Sequence, residues 1–335
     1  METTDKSLKK FTRRDFIKIV AVAGGVLAAG GILRTSWNSK TITVQDTRLL
    51  MGTIIDITLI AESEAIGRTA INATYSEMGR LIHFFDFRNP ESELGLLNRN
   101  GKLDQPSPEL ISIIQQAGYF SDISHGAFDV TVQPILNAYR ASRSLTPQDL
   151  SLVDYRNVLI EDGQVKYKLP GMQITLDGIA KGRVVDGGAN ALRVLGYENV
   201  LVEAGGDLVA NGTDPDGQLW KIGVANPRPS NGNQWLATLS VKNCAVATSG
   251  DYMDTFTSDH SLNHIIDPHT GLSPVELCSA TVIAPTLTEA DALGTTLMVM
   301  GVTDGLALVE HLPGIEAMLA TKDLKMYRST GFPPA

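Results

Sequence analysis

Asp291 and Thr295 stand four residues apart in a stretch, 288–300, whose apolar spacing predicts a helix, so a carboxylate and a hydroxyl share one face. Both are hard oxygen donors of the kind that hold Mg²⁺ beside substrate phosphates. The same pair also reads as a helix cap and a packing threonine, since Thr288 and Asp291 have capping-box spacing. A second candidate is Asp177-Gly178-Ile179-Ala180-Lys181-Gly182, at an expected strand-to-helix turn. Glycines there permit close backbone approach, and a helix N-terminus favours an anion. The spacing is neither that of a Walker A loop nor that of a dinucleotide fingerprint, so a plain tight turn explains it equally well.

Two further loops carry reactive or ring-binding types. His264 precedes the apolar pair Ile265-Ile266, after Thr248-Ser249-Gly250-Asp251 and before the turn Asp267-Pro268-His269-Thr270-Gly271. The turn is ordinary loop chemistry, whereas a histidine in this setting is a usable proton acceptor near neutral pH, or a structural side chain. His260 and His264 are four apart with His269 nearby, which raises a zinc site, but the turn residues between them spoil the helix that would align them. In Gly126-Ala127-Phe128-Asp129 the small residues could admit a flat ring beside Phe128, or Phe128 could be core.

The elements that must position these loops follow from periodicity. Residues 41–60 read as two strands joined at Met51-Gly52-Thr53, a hairpin. Residues 64–85 and 108–124 read as helices, the second with Leu110, Ile113, Ile114 and Ala117 on one face. Residues 174–176 read as a short strand. Val185, Ala189 and Leu192, at i, i+4 and i+7, mark a helix after Gly182, closed by a left-handed Gly196. Gly205-Gly206 between two apolar runs predicts another hairpin, and 219–247 continues as strands. Helices and strands are interspersed rather than alternating, which gives an α+β class with largely antiparallel sheets flanked by helices.

The first 40 residues read as an address. Lysines lead into Thr12-Arg13-Arg14-Asp15-Phe16-Ile17-Lys18, and the chain from Ile19 to Leu33 is apolar and rich in Gly and Ala. This is the pattern of a twin-arginine signal. The run is about 15 residues where a stable span needs roughly 20, so it fits a signal better than an anchor, though a simple membrane tether stays open. The remaining 41–335, of a 335-residue chain, allows one large domain or two intimately packed subdomains. A formal charge of -9 argues against nucleic acid as a partner. Cys244 and Cys278 lack metal-site spacing and are a pair or two small buried hydrophobes.

In order along the chain, several landmarks resemble the ApbE family of flavin transferases: Met51-Gly52-Thr53, Ser92-Glu93-Leu94 with Asn98, Gly126 to Val132, and Gly178-Ile179-Ala180-Lys181-Gly182. Gly205-Gly206-Asp207, Thr248 to Asp251, His264 to Pro268 with Thr270-Gly271, and Ala290-Asp291-Ala292-Leu293 complete the series. The resemblance implies a T-fold-like core, FAD as substrate and Mg²⁺ as cofactor. It implies Asp291, Thr295 and the backbone carbonyl of Gly178 as metal ligands. It places Met51, Ala127, Phe128, Asp129, Lys181 and Ile265 against FAD, with Phe87, Arg88, Asp177, Thr248 and Ser249 beside it. His264 would take the proton from an acceptor Thr or Ser, whose hydroxyl attacks the FMN-side phosphorus and releases AMP. The acceptor would be a flavoprotein subunit of a membrane or periplasmic redox complex, met in the periplasm or on the outer face of the inner membrane.

Two positions depart from the family pattern. The aromatic usual four residues before the Ser-Glu-Leu serine is Arg88 here, flanked by Phe85 and Phe87. The acid usual at the start of the Gly-Ile-Ala-Lys-Gly loop is Thr175, with Asp177 two residues later. Two other functions remain open from sequence. Hydrolysis of FAD to FMN and AMP would use the same residues with water as nucleophile, and a non-catalytic flavin carrier would not need Asp291, Thr295 or His264.

Overall fold

A computed structural model describes residues 41–228 and 235–334; the expected signal segment, 1–40, lies outside them. In chain order the strands are β1 (Ile42–Leu50), β2 (Thr53–Ala61), β3 (Lys102–Asp104), β4 (Val158–Glu161), β5 (Gln164–Tyr167), β6 (Val200–Ala204) and β7 (Asp207–Asn211). They continue as β8 (Trp220–Ala225), β9 (Trp235–Val241), β10 (Cys244–Gly250), β11 (Leu277–Ala284), β12 (Glu316–Thr321) and β13 (Met326–Arg328). The helices are α1 (Glu64–Phe85), α2 (Glu93–Asn100), α3 (Pro108–Ile123), α4 (Gln133–Arg140), α5 (Pro147–Ser151), α6 (Ala180–Val194) and α7 (Leu287–Glu310).

Eight strands form one sheet in the order β1-β2-β6-β7-β10-β11-β12-β13, and every pairing is antiparallel. Two-residue turns join β1 to β2 and β6 to β7. Met51 and Gly52 (φ 52° and 71°), and Gly205 and Gly206 (φ 59° and 104°), supply the positive-φ pairs such turns require.

Side-chain parity divides the sheet between two cores. Ile55, Ile57 and Leu59 of β2, Val209 of β7 and Val282 of β11 face the helices α1, α6 and α7 in the main core. The opposite parity, Leu208, Ala210, Val246, Ile283 and Met318, packs under the hairpin β8–β9, where Trp220, Ile222 and Leu239 close a smaller core. Covered on both faces, β11 is buried along its whole length. The architecture is the expected α+β one, and Cys244 and Cys278 are free thiols within it, the second donating to the carbonyl of Thr321 at 3.1 Å.

Three helices begin at serine caps, and one of them, α2, is not signalled by the apolar spacing of its sequence. Ser63, Ser92 and Ser107 accept the backbone N–H of Ile66, Gly95 and Leu110, capping α1, α2 and α3, and Pro108 sits in the first turn of α3. The apolar face of α3 (Leu110, Ile113, Ile114, Ala117) is buried as its spacing predicts, as are Val185, Ala189 and Leu192 of α6, and Gly196 has the expected left-handed conformation (φ 88°).

The stretch 174–176 is not a strand. The Asn98 side chain takes its place as a backbone partner, accepting from Ile174 N–H and donating to Ile174 C=O, each at 2.8 Å, while Thr175 N–H donates to Val130 C=O at 2.8 Å. These bonds satisfy the chain without a ladder.

The helix expected over 288–300 starts earlier and runs on to Glu310, through a break at Gly301 (φ 75°) that lies against the Glu276 carboxylate. Its capping box is therefore not Thr288–Asp291 but Thr286–Glu289: Thr286 accepts Glu289 N–H, and Glu289 accepts Thr286 N–H. Among the described residues α7 alone is long and apolar enough to cross a membrane; here it is a core helix against β10, β11 and α6.

Thr288 and Asp291 are engaged with another helix. Asp186 of α6 accepts Leu287 N–H and Thr288 N–H at 2.8 Å each, and the Thr288 hydroxyl at 2.5 Å, so it fills the first turn of α7. In return Asp291 of α7 accepts Gly182 N–H at 2.9 Å in the first turn of α6. The two helix starts are in backbone contact, because a Cβ added to Gly182 would lie 2.3 Å from Leu287 O. Asp186→Ala strips three donors of their acceptor in a buried place. The expected loss is about 2 kcal/mol, read as a fall in Tm of roughly 4–8 °C by calorimetry; an unchanged Tm would show that the α6–α7 exchange is not structural.

Candidate active site

Beside the α6–α7 junction opens a cleft of about 2470 Å³, well above the several hundred Å³ usual for a single small ligand. The two tight turns at Met51-Gly52 and Gly205-Gly206 form one wall, the loops at 126–130 and 175–178 a second, and the loop 252–266 a third. The turns are held together by Gly205 N–H donating to Ile54 C=O at 3.1 Å.

Asp291 and Thr295 project from α7 into this cleft beside the loop that carries Gly178. A Cβ at Gly178 would lie 3.1 Å from Thr295 Oγ1 and 3.2 Å from Phe128 Cε2, so glycine is what leaves space between that loop and the hydroxyl. The neighbouring Thr296 spends its hydroxyl on Ala292 C=O at 2.7 Å. Asp291 Oδ2 accepts Gly182 N–H at 2.9 Å. Burial pushes the Asp291 carboxyl up to about 7, against the pull of Lys181 in the other direction. No three His, Cys, Asp or Glu gather around a common point among the described residues, so no all-protein cage exists, and His260, His264 and His269 do not form a zinc triad. One carboxylate, one hydroxyl and a backbone carbonyl, all oxygen, instead suit a Mg²⁺ ion that completes its shell with water and substrate phosphate.

Lys181, in the first turn of α6, is half-buried and paired with Asp207 of β7, whose other oxygen accepts Thr248 N–H at 2.9 Å. Burial alone would lower the ammonium's pKa, but Asp207 and Asp291 outweigh it and hold it raised, so Lys181 stays charged. Thr248 also exchanges a hydrogen bond with Thr281 at 2.9 Å, and Ser249 fits against Gly294, where a Cβ would lie 2.8 Å from Ser249 Oγ. The pair is thus tied to both the sheet and α7.

His264 lines the same cleft from the opposite loop. Its Nδ1 is 3.0 Å from Met253 C=O, which can only accept, so Nδ1 carries the hydrogen and Nε2 keeps its lone pair in the neutral ring. Burial lowers its pKa below the usual 6.5, with Lys181 adding to the effect and Asp254, the Met253 carbonyl and Asp177 opposing it. At neutral pH the ring is a proton acceptor.

The remaining expected residues also meet here. Met51, Ala127, Phe128, Asp129, Asp177, Ile265 and Arg88 line the main cleft, and Phe87 lines a smaller adjoining cavity of about 400 Å³ with Arg88, Arg140 and His264. Phe128 packs edge-on against Phe120 in the core, as one of the two sequence readings had it, and also borders the cleft. The Asp129 carboxylate is occupied by Thr131 and by Tyr155 N–H, so it shapes its loop rather than standing free. Sequence reasoning missed Asp186, Asp207 as the Lys181 partner, and Arg140. Asp207 had a signal, directly after the Gly-Gly turn; the other two had none.

Comparison with known proteins makes this cleft part of a transferase enzyme. The sequence profile of the ApbE family matches residues 51–319. An FAD:protein FMN transferase of Vibrio cholerae is 30% identical over 292 residues, covering 82% of this chain and 86% of its own length. The solved flavin transferase ApbE from Vibrio cholerae superposes with a TM-score of 0.75 at 28% identity, and the ApbE protein from Thermotoga maritima with 0.77 at 31%. Each alignment covers 87% of this chain and 98% of the other. The chain belongs to the ApbE family.

Gly178→Ala tests the space between the loop and Thr295. The methyl group displaces either Thr295 or Phe128, and flavin transfer is expected to fall by roughly 100-fold, as small misplacements at reacting centres do. Because φ at Gly178 is not positive, Tm should move little, and wild-type activity in this variant would place the chemistry elsewhere.

Proposed function

We propose that this chain moves the FMN half of FAD onto a Ser or Thr hydroxyl of a partner flavoprotein, with Mg²⁺ as cofactor and AMP as the other product. The observation that carries the reading is the convergence of Gly178, Asp291 and Thr295 in one cleft, with the charged Lys181 beside them and His264 across from them. The relatives named FAD:protein FMN transferase support the same reaction. The twin-arginine pattern at residues 12–18 supports a site of action in the periplasm or on the outer face of the inner membrane, on a subunit of a redox complex.

The acceptor oxygen attacks the FMN-side phosphorus, and the bond from that phosphorus to the bridging oxygen breaks, its electron pair leaving with AMP. His264 Nε2 takes the proton from the acceptor hydroxyl. Asp291, Thr295 and the Gly178 carbonyl would hold Mg²⁺, which when bound neutralises charge on the diphosphate. Lys181, fixed by Asp207, adds a permanent positive charge on the phosphate side of the cleft. The loops around the cleft must keep water from the phosphorus, since water attack would give FMN and AMP instead.

Incubation of the mature protein with FAD, Mg²⁺ and a flavoprotein subunit that accepts FMN should give a fluorescent covalent band on a Ser or Thr. EDTA and Asp291→Ala should each remove it. AMP and free FMN released at equal rates with and without acceptor would instead make the chain a hydrolase.

The pH profile gives a separate check on the base. Protonation of His264 removes the acceptor lone pair, so kcat/KM is expected to fall on the acid side through an apparent pKa below 6.5. His264→Ala should lower kcat by about 10²- to 10⁴-fold and abolish that acid limb; a limb that persists in the variant belongs to another group.

A further inference from the structure

At the mouth of the cleft two guanidinium groups from separate elements approach one carboxylate oxygen. Arg88, in the loop after α1, has Nη2 3.6 Å from Asp177 Oδ2, and Arg140, the last residue of α4, has Nη2 3.9 Å from the same atom. Both also lie over the ring of Phe87, with Cζ 4.5 Å and 5.5 Å from its centroid. The ring is a surface that both guanidiniums share. Separations of 3.6 and 3.9 Å exceed hydrogen-bond range, so Asp177 orients the forks without consuming their N–H donors. Their side chains remain 61% and 38% exposed.

Arg88 Nη1 is also 3.8 Å from Asp86 Oδ1, and Asp254 lines the same cavity, so the acids balance the two guanidiniums in charge, yet neither Asp86 nor Asp177 comes within hydrogen-bond range of the forks, whose N–H donors stay open to an incoming anion. The place is specific, because Asp177 directly precedes Gly178, on the loop that faces Thr295. Arg88 stands at one of the two positions where the chain departs from the pattern it otherwise resembles, and its ionic partner Asp177 is the acid two residues beyond the other, Thr175. An arginine replacing an aromatic residue would by itself only weaken ring stacking, but held with Arg140 on a shared acid it makes a planar, doubly forked anion site.

We propose that Arg88 and Arg140 form a clamp for the phosphate of the leaving nucleotide. The inference rests on the transferase reading above. Cleavage leaves the bridging oxygen on AMP, whose phosphate gains a negative charge as the bond breaks. Forked donors at the cleft mouth meet that charge, and bind AMP itself after transfer.

The test is equilibrium binding of AMP and of adenosine by calorimetry, in EDTA, to the wild-type protein, Arg88→Ala and Arg140→Ala. Loss of a charge-assisted contact should weaken AMP roughly 10- to 100-fold in each variant, while adenosine binding stays within about twofold and reports that the variants are folded. Unchanged AMP affinity in both variants would overturn the proposal. So would a parallel loss of adenosine, which would make the arginines stacking platforms for the base. Because no turnover is involved, phosphate discrimination in a protein that fails to transfer flavin would leave the clamp standing and remove only the reaction.

Discussion

The site depends on an exchange of carboxylates between two helices. Asp186 of α6 completes the first turn of α7, and Asp291 of α7 completes the first turn of α6. Each helix start concentrates unpaired N–H groups and partial positive charge, and placing two of them in backbone contact would be unfavourable without anions between them. The exchange supplies those anions from within. It also explains what offsets the burial of Asp291 beside the cleft: the Gly182 N–H and the nearby Lys181 both favour its ionised form against the burial that raises its pKa.

The sheet contributes rigidity rather than chemistry. β11, buried on both faces, and β10 beside it form the floor against which α7 lies, while Asp207 on β7 and Thr248 on β10 reach from the strands to fix Lys181. The reactive groups themselves are on loops and helix starts, where backbone can approach a ligand closely. Asn98 has a comparable part at a distance, since its side chain suspends Ile174, three residues before Asp177.

Much of this was legible in the sequence, and the exceptions share a cause. The hairpin turns and the helices α1, α3 and α6 were signalled by local patterns that tertiary structure does not override: turn residues between apolar runs, and apolar spacing along the helices. The Asp291–Thr295 spacing likewise survives because it needs only one helical turn. What failed needed partners far along the chain. The stretch 174–176 looks extended and apolar, and only the distant Asn98 takes it out of a ladder. Thr288 and Asp291 have capping-box spacing, yet their true partners are Asp186 and Gly182, more than a hundred residues away. Arg140 has no local signature, because its meaning comes from Phe87 and Asp177.

The thiols carry a different consequence. Cys278 is spent on the carbonyl of Thr321 and Cys244 is unpaired, so this fold requires no sulfur–sulfur bond between them. Forming its core therefore calls for no thiol oxidation, so the redox state of its surroundings does not enter the folding of these elements.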